Sequence, residues 1–204
     1  MAWAQLEGVE ELRAGALGAA ESSFKPISSC PQSAVLVPVP EAEPVVGQWR
    51  AVHDPKALTG VPAHITLLYP WVSPEQLKPA HLEELDELLS EQAPFGYVLD
   101  KVSWFGERVL WLAPNPAEPF KRLTARLAAR FGTQPWQGEF PDVVPHLTVG
   151  LSGHALSSSL EEAGAAIAEK LPLHCEAREV VVMCGDGLNW EVVHRTVLRL
   201  PAAG

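Results

Sequence analysis

Pro62-Ala63-His64-Ile65-Thr66-Leu67 has a second copy, Pro145-His146-Leu147-Thr148-Val149, and the reading of these two stretches decides the fold. Each follows a Val/Pro loop, Gly60-Val61-Pro62 in one case and Val143-Val144-Pro145 in the other, and each opens a short apolar run. A breaker followed by apolar, partly β-branched residues is a strand signal. Side chains alternate along a strand, so a His and a Thr two apart share a face. Each copy therefore presents an imidazole beside a hydroxyl. The histidines lie 82 positions apart, from 64 to 146, as expected if two similar lobes each contribute one strand. Two imidazoles facing one cleft suit general acid/base work. Two hydroxyls beside them suit a tetrahedral oxyanion such as phosphate.

The tripeptide alone is weak evidence, because 7 His among this many Ser and Thr give about 0.6 chance matches to His-x-Ser/Thr. The chain holds a third, His194-Arg195-Thr196, in the middle of the apolar run from Glu191 to Leu200. It lacks the preceding Pro, the loop leading into a strand, and the capped helix that follows each of the first two. It is read as a decoy.

The two full motifs, Ala63-His64-Ile65-Thr66-Leu67 and Pro145-His146-Leu147-Thr148-Val149, resemble the signature of the 2H phosphoesterases, also called the 2′-5′ RNA ligase or cyclic phosphodiesterase superfamily. The longer pattern from Trp49-Arg50 through His53-Asp54-Pro55 to Gly60 and on to Tyr69-Pro70 is similar to one branch of it. The likeness covers about residues 34–200. It implies symmetric roles for the two motif histidines and relatives that cleave, ligate in reverse, or only bind nucleotides.

The composition, 47% apolar and 20% charged over 204 residues, reads as one globular domain with a sizeable core. No apolar run approaches a membrane span, and Met1 to Glu7 lacks the basic start and apolar core of a secretion signal. The cytoplasm is the expected location. Three cysteines without CxxC spacing suggest neither a disulfide framework nor a zinc site. A formal charge of −10 argues against long duplex nucleic acid as a partner, but not against a short RNA end or a nucleotide.

Residues 1–33 are expected to form a loosely attached extension, with residues 34–204 as a single bilobal domain. A first strand is expected over 33–40, a helix from Glu43 or Pro44 to His53, and the first motif strand from His64 to Tyr69. Ser73-Pro74-Glu75-Gln76 looks like a capping box with Pro at the first helical position, opening a helix to about Ser90. Strands over 96–105 and 109–113 and a helix over 116–131 lead to the second motif strand, His146 to Leu151. Ser158-Ser159-Leu160-Glu161 reads as a second capping box with a helix to Lys170. A closing hairpin, His174 to Cys184 and Asn189 to Leu200, turns at Gly185-Asp186-Gly187. Motif strand, capped helix and hairpin thus occur twice. The expected class is α+β: a pseudo-two-fold pair of antiparallel or mixed β-sheets, helices on the outer faces, and a central cleft carrying both His-x-Thr motifs.

The candidate catalytic residues are His64, Thr66, His146 and Thr148. Tyr69 and Trp71, ending the first motif strand, are candidates for stacking a base, as are Trp136 and Phe140 before the second; plain packing is the alternative for all four. Arg50, Arg195 and Arg199 are candidate phosphate clamps, while His53 receives no role. No cofactor is expected and no metal, since neither motif supplies carboxylate or thiolate partners at short spacing. These readings converge on a metal-independent phosphodiesterase acting on a 2′,3′-cyclic phosphate or 2′-5′ linkage of a small nucleotide or RNA end, and on a monomer. The alternatives are a nucleotide- or RNA-end-binding module, an RNA 2′-5′ ligase, and a structural protein in which the two motifs coincide by accident.

Overall fold

A computed structural model describes residues 32–138, 142–153, 159–186 and 188–200, with the backbone alone of residues 136 and 137. The expectation of a loose extension therefore falls, for residues 1–31, outside the described residues. Gln32 and Ser33 already belong to the first strand, β1 (Gln32–Pro38). Its five central residues are all buried, and the strand lies inside a sheet with a neighbour on each side.

After a 3-10 turn at Pro40–Ala42 come helices α1 (Glu43–His53) and α2 (Pro55–Leu58). Pro55 ends α1, and Asp54 caps the next helix by accepting the Lys56 N–H (2.9 Å). The first motif strand is β2 (His64–Leu68). Helix α3 (Pro79–Leu89) follows, starting later than the capping box at Ser73 suggests. Ser73 to Gln76 forms a turn instead, closed by the Gln76 N–H on the Ser73 carbonyl (2.8 Å). The reason is Pro79: it holds Lys78 extended (φ −119°, ψ 156°), so no helix can run through that residue.

Strands β3 (Phe95–Phe105) and β4 (Val109–Asn115) form a hairpin that turns at Gly106 with φ 58°. Helix α4 (Glu118–Phe131) leads to the second motif strand, β5 (Leu147–Leu151), which begins one residue after His146. Helix α5 (Leu160–Ala168) has its capping box at Ser159 and Glu162, one residue beyond the expected pair; Ser158 lies outside the described residues. The expected strand over 174–184 is two strands, β6 (Leu173–Ala177) and β7 (Glu179–Gly185), in different sheets. Arg178 marks the crossing. Strand β8 (Trp190–Val197) completes the chain of elements.

Among the described residues eight strands make two antiparallel four-stranded sheets, ordered β2-β1-β7-β8 and β5-β4-β3-β6. The motif strands are both edges, one per sheet, and they lie against each other. The run β1-α1-β2-α3 is echoed by β4-α4-β5-α5, a repeat unit that differs from the expected one of motif strand, capped helix and hairpin because β6 and β7 lie in different sheets. Helices pack on the faces opposite the motif histidines, and one apolar cluster joins both sheets through Ile65, Leu67, Leu112, Val149, Phe120 and Leu127. Among the described residues no helix is long and apolar enough to cross a membrane.

The helices are exchanged between the lobes. Helix α1 leaves β1 of the first sheet but packs on β5 of the second, whereas α4 packs on β2 of the first. The α1 contact is unusually close. A Cβ added at Gly150 would stand 2.3 Å from the Cβ and 3.2 Å from the carbonyl carbon of His53, so only glycine fits. Gly150→Ala should therefore lose about 1–3 kcal/mol by overpacking, read as a lower urea midpoint. An unchanged midpoint would mean that α1 and β5 are not in backbone contact.

Candidate active site

Proline before each motif strand delivers the histidine at the strand's first turn out of the loop, and the same local device holds both rings. Nδ1 of His64 is 2.7 Å from the Pro62 carbonyl oxygen, and Nδ1 of His146 is 2.7 Å from that of Val144. A carbonyl only accepts, so Nδ1 carries the proton and, in the neutral ring, Nε2 carries the lone pair. The two imidazoles are thus held in one tautomer by matching backbone contacts.

Both rings are half-buried. Burial is the largest influence on each, disfavouring the imidazolium and lowering the pKa below its ordinary 6.5. At His64 the Arg50 guanidinium lowers it further and His146 adds to the effect, against the upward pull of the Pro62 carbonyl; the result is about 3. The two imidazoles are within electrostatic reach of each other, across adjacent edge strands. At His146 burial acts against the raising effect of the Val144 carbonyl.

Thr66 and Thr148 stand two residues along from the histidines, half-buried on the same faces. Thr66 lies opposite Leu36 of β1, and Thr148 opposite Trp111 of β4. Among the described residues neither hydroxyl is committed to a hydrogen bond, which leaves both able to donate.

Arg50 does not line the cleft. It is 2% exposed, and Nε and Nη2 donate to Asp54 Oδ2 at 3.1 and 2.6 Å. Nη2 also donates to the Val61 carbonyl (3.2 Å), while Glu43 Oε1, 3.8 Å from Nη1, accepts the Ala63 N–H (2.6 Å). This network grips the loop leading into His64 from both ends. The reading of Arg50 as a phosphate clamp gives way to that of a positioning cation, because it is buried and its Nε and Nη2 donate to Asp54 and Val61.

The other sequence candidates are placed as follows. Tyr69 is buried, its hydroxyl donates to Gln32 Oε1, and its ring tilts on Trp190. Trp71 is 7% exposed in the shared core, edge-on to Phe131 at 5.1 Å, so it packs rather than facing the cleft. Arg195 shares a sheet face with Thr66 through the register Thr66, Leu36, Val181, Arg195. Three strand spacings, about 14 Å, separate the two, and Arg195 pairs with Glu179 at 2.7 Å. Arg199 is exposed beyond β8, its backbone N–H on the Gln92 carbonyl. His53 is buried, stacked on Trp49. The Trp136 side chain and Phe140 lie outside the described residues.

The third His-x-Thr, the decoy, has a structural task. His194 Nε2 (2.9 Å) and Thr196 Oγ1 (2.5 Å) both meet Asp86 Oδ1, tying β8 to α3. Two residues beside His146 escaped sequence reasoning: Phe105 and Trp111 stack on each other, with ring centroids at 4.5 Å. Both stand edge-on to His146, at 5.0 and 5.8 Å. The signal for Trp111 was the alternation Leu110-Trp111-Leu112, which sets it on the face of Thr148 once β4 pairs with β5. Among the described residues no group of three or more His, Cys, Asp or Glu is placed to hold a metal ion.

Solved structures with the same fold include TT0787 of Thermus thermophilus, 21% identical with a TM-score of 0.57, covering 83% of this chain and 98% of that one. They also include E. coli LigT, in apo form and complexed with NADP+, each 20% identical with a TM-score of 0.51 and covering 84% of this chain and 99% of that one. No curated protein sequence matches the chain. The profile of the 2′-5′ RNA ligase superfamily matches residues 37–188, from the first strand to the last hairpin, and the chain belongs to that superfamily.

Proposed function

We propose that the protein is a metal-independent phosphodiesterase acting on a 2′,3′-cyclic phosphate or a 2′-5′ linkage of a small nucleotide or RNA end, with His64 and His146 as the proton-transfer pair. The observation that carries this reading is the meeting of two edge strands, one per sheet, each bearing an imidazole held through Nδ1 with a threonine beside it. Membership of the 2′-5′ RNA ligase superfamily supports it. E. coli LigT was solved with NADP+ and with ATP, which favours nucleotides as the ligand class here. A nucleotide-binding module is the second reading, and those same complexes favour it.

In the proposed reaction His64 is the base. Its pKa, lowered to about 3, keeps Nε2 unprotonated at all but strongly acid pH. It takes a proton from water as the water oxygen attacks phosphorus. His146, as imidazolium, gives its proton to the departing ribose oxygen as the P–O bond breaks. Thr66 and Thr148 donate to the non-bridging oxygens, whose charge grows as phosphorus becomes five-coordinate. Arg50 acts through His64, holding its loop and disfavouring its protonation.

Turnover of a 2′,3′-cyclic nucleotide in the presence of EDTA separates catalysis from binding, and activity is expected there. Loss with chelator and return with a divalent ion would overturn the mechanism. His64→Ala and His146→Ala should each lose about 10²–10⁴ in kcat, with the double variant little worse than either single one. Thr66→Val and Thr148→Val should each lower kcat while leaving the unfolding free energy within about 1 kcal/mol of the parent, since neither hydroxyl holds a hydrogen bond among the described residues and Val suits a strand. Unchanged kinetics in both would make the hydroxyls structural.

The pH dependence follows from the two lowered pKa values. The base is ready above about 3, and the acid is charged in the free enzyme only below its lowered pKa, which lies under 6.5. Accordingly kcat/KM should peak on the acid side of 6.5 and fall as pH rises through neutrality. The limb in kcat should lie at higher pH, since a bound phosphate anion favours imidazolium. Both limbs belong to the coupled pair. A kcat/KM optimum on the alkaline side of neutrality would contradict these assignments.

A further inference from the structure

A cavity of about 620 Å³ opens beside β3 and β6 of the second sheet, where the 3-10 turn Pro40–Ala42 meets β6. Its size is that of a small-molecule site. Tyr97 of β3 and Cys175 of β6 are cross-strand partners and line it together with Glu41. The Tyr97 ring packs edge-on against Phe120 at 4.9 Å, in the shared core rather than on the face of Thr148 and Trp111.

Two polar atoms here lack what buried polar atoms almost always have. Tyr97 is 3% exposed, and its hydroxyl oxygen has no geometrically sound hydrogen bond among the described residues. Oε2 of Glu41 is likewise buried without a partner. The neighbouring Cys175 thiol is a weak partner for Tyr97 and directs its S–H at the Leu173 carbonyl (3.7 Å). Burial, with Tyr97's neighbours Cys175 and Glu41 adding to it, pushes the phenol well up. Burial and Glu41 also carry the thiol to about 11, so both stay neutral and the thiol is no nucleophile. The cation at the rim, Arg178, is held by Glu176 (2.7 and 2.8 Å), and the Asn115 amide donates to Asp100 (2.7 Å). Apart from the His174 imidazole, the charged side chain left unpaired in the lining is the Glu41 carboxylate.

We infer that this cavity is a second ligand site, for a small organic cation with N–H donors such as a primary amine, donating to Glu41 Oε2 and Tyr97 Oη. The carboxylate selects against anions such as the phosphate of the cleft. Among the described residues no trio of metal-ligating side chains gathers there, which favours an N–H donor over a metal ion. The Tyr97 ring and Pro116 supply an apolar wall for the carbon body of the ligand.

The test is calorimetric titration of the full chain with 1,4-diaminobutane, with 1,4-butanediol as the uncharged control. Saturable binding of the diamine and none of the diol is expected. Glu41→Gln should weaken binding about tenfold or more, Tyr97→Phe should weaken it measurably, and a His64→Ala/His146→Ala variant should bind as the parent does. Without ligand, Glu41→Gln and Tyr97→Phe should unfold at the parent's temperature or above it, because the first removes a buried unpaired charge and the second an unpartnered buried hydroxyl. No saturable binding at millimolar diamine, equal binding of the diol, or indifference to Glu41→Gln would overturn the inference. So would loss of binding in the double histidine variant, or a lower unfolding temperature for Glu41→Gln.

Discussion

The two motif strands are tied to each other by how closely α1 approaches β5. The helix belongs by sequence to the first lobe, but its last residue, His53, rests on Gly150 of the second, where a Cβ would fall 2.3 Å from that of His53. Four residues before Gly150 stands His146. On the helix side, Arg50 and Asp54 flank His53 and hold the Val61 carbonyl ahead of His64. One backbone contact thus couples the two motifs through a few covalent steps on either side. Packed interiors transmit such constraints because they have little room to yield. The exchange of α1 and α4 between lobes makes the two motif strands parts of one core rather than of two hinged halves.

The pseudo-symmetry is close in backbone and broken in electrostatics. Both histidines use a carbonyl two residues back to fix the same tautomer. Beneath His64 lies a buried cation paired with Asp54, whereas His146 is walled by the edges of Phe105 and Trp111. A buried ion pair is costly to assemble and more costly to break, so the Arg50–Asp54 bridge reads as a fixed part of the first motif. Its field acts on one imidazole of the pair. A duplicated scaffold with unlike surroundings is how two equal groups acquire unequal proton affinities, and this asymmetry underlies the proposed assignment of His64 as base.

The motif strands were legible because Pro and a loop precede each one and His and Thr alternate on one face. The decoy at His194 was legible from its missing context, and the structure gives it Asp86 instead of the cleft. Other features were hidden for physical reasons. Residues 174 to 184 contain no Gly or Pro, so the change of sheet at Arg178 is a tertiary demand with no local mark. The helix expected at Ser73 failed because the restriction Pro79 places on Lys78 outweighed a plausible cap. Arg50 carried a readable sign, an Asp four residues on, the spacing of a helical ion pair. Trp71 and Trp111 look alike as aromatic residues in strand surroundings; only the pairing of strands tells that one enters the core and the other the cleft.

The central claim is that one phosphate group fits between both imidazoles. NMR titration of the histidine ring nitrogens with and without inorganic phosphate tests it most directly. Without phosphate both rings should be neutral at pH 7, protonated on Nδ1, and titrate below 6.5. With phosphate, His64 and His146 should respond together, at one phosphate per chain, with at least one pKa rising. A response from only one of them, or from neither, would contradict the account.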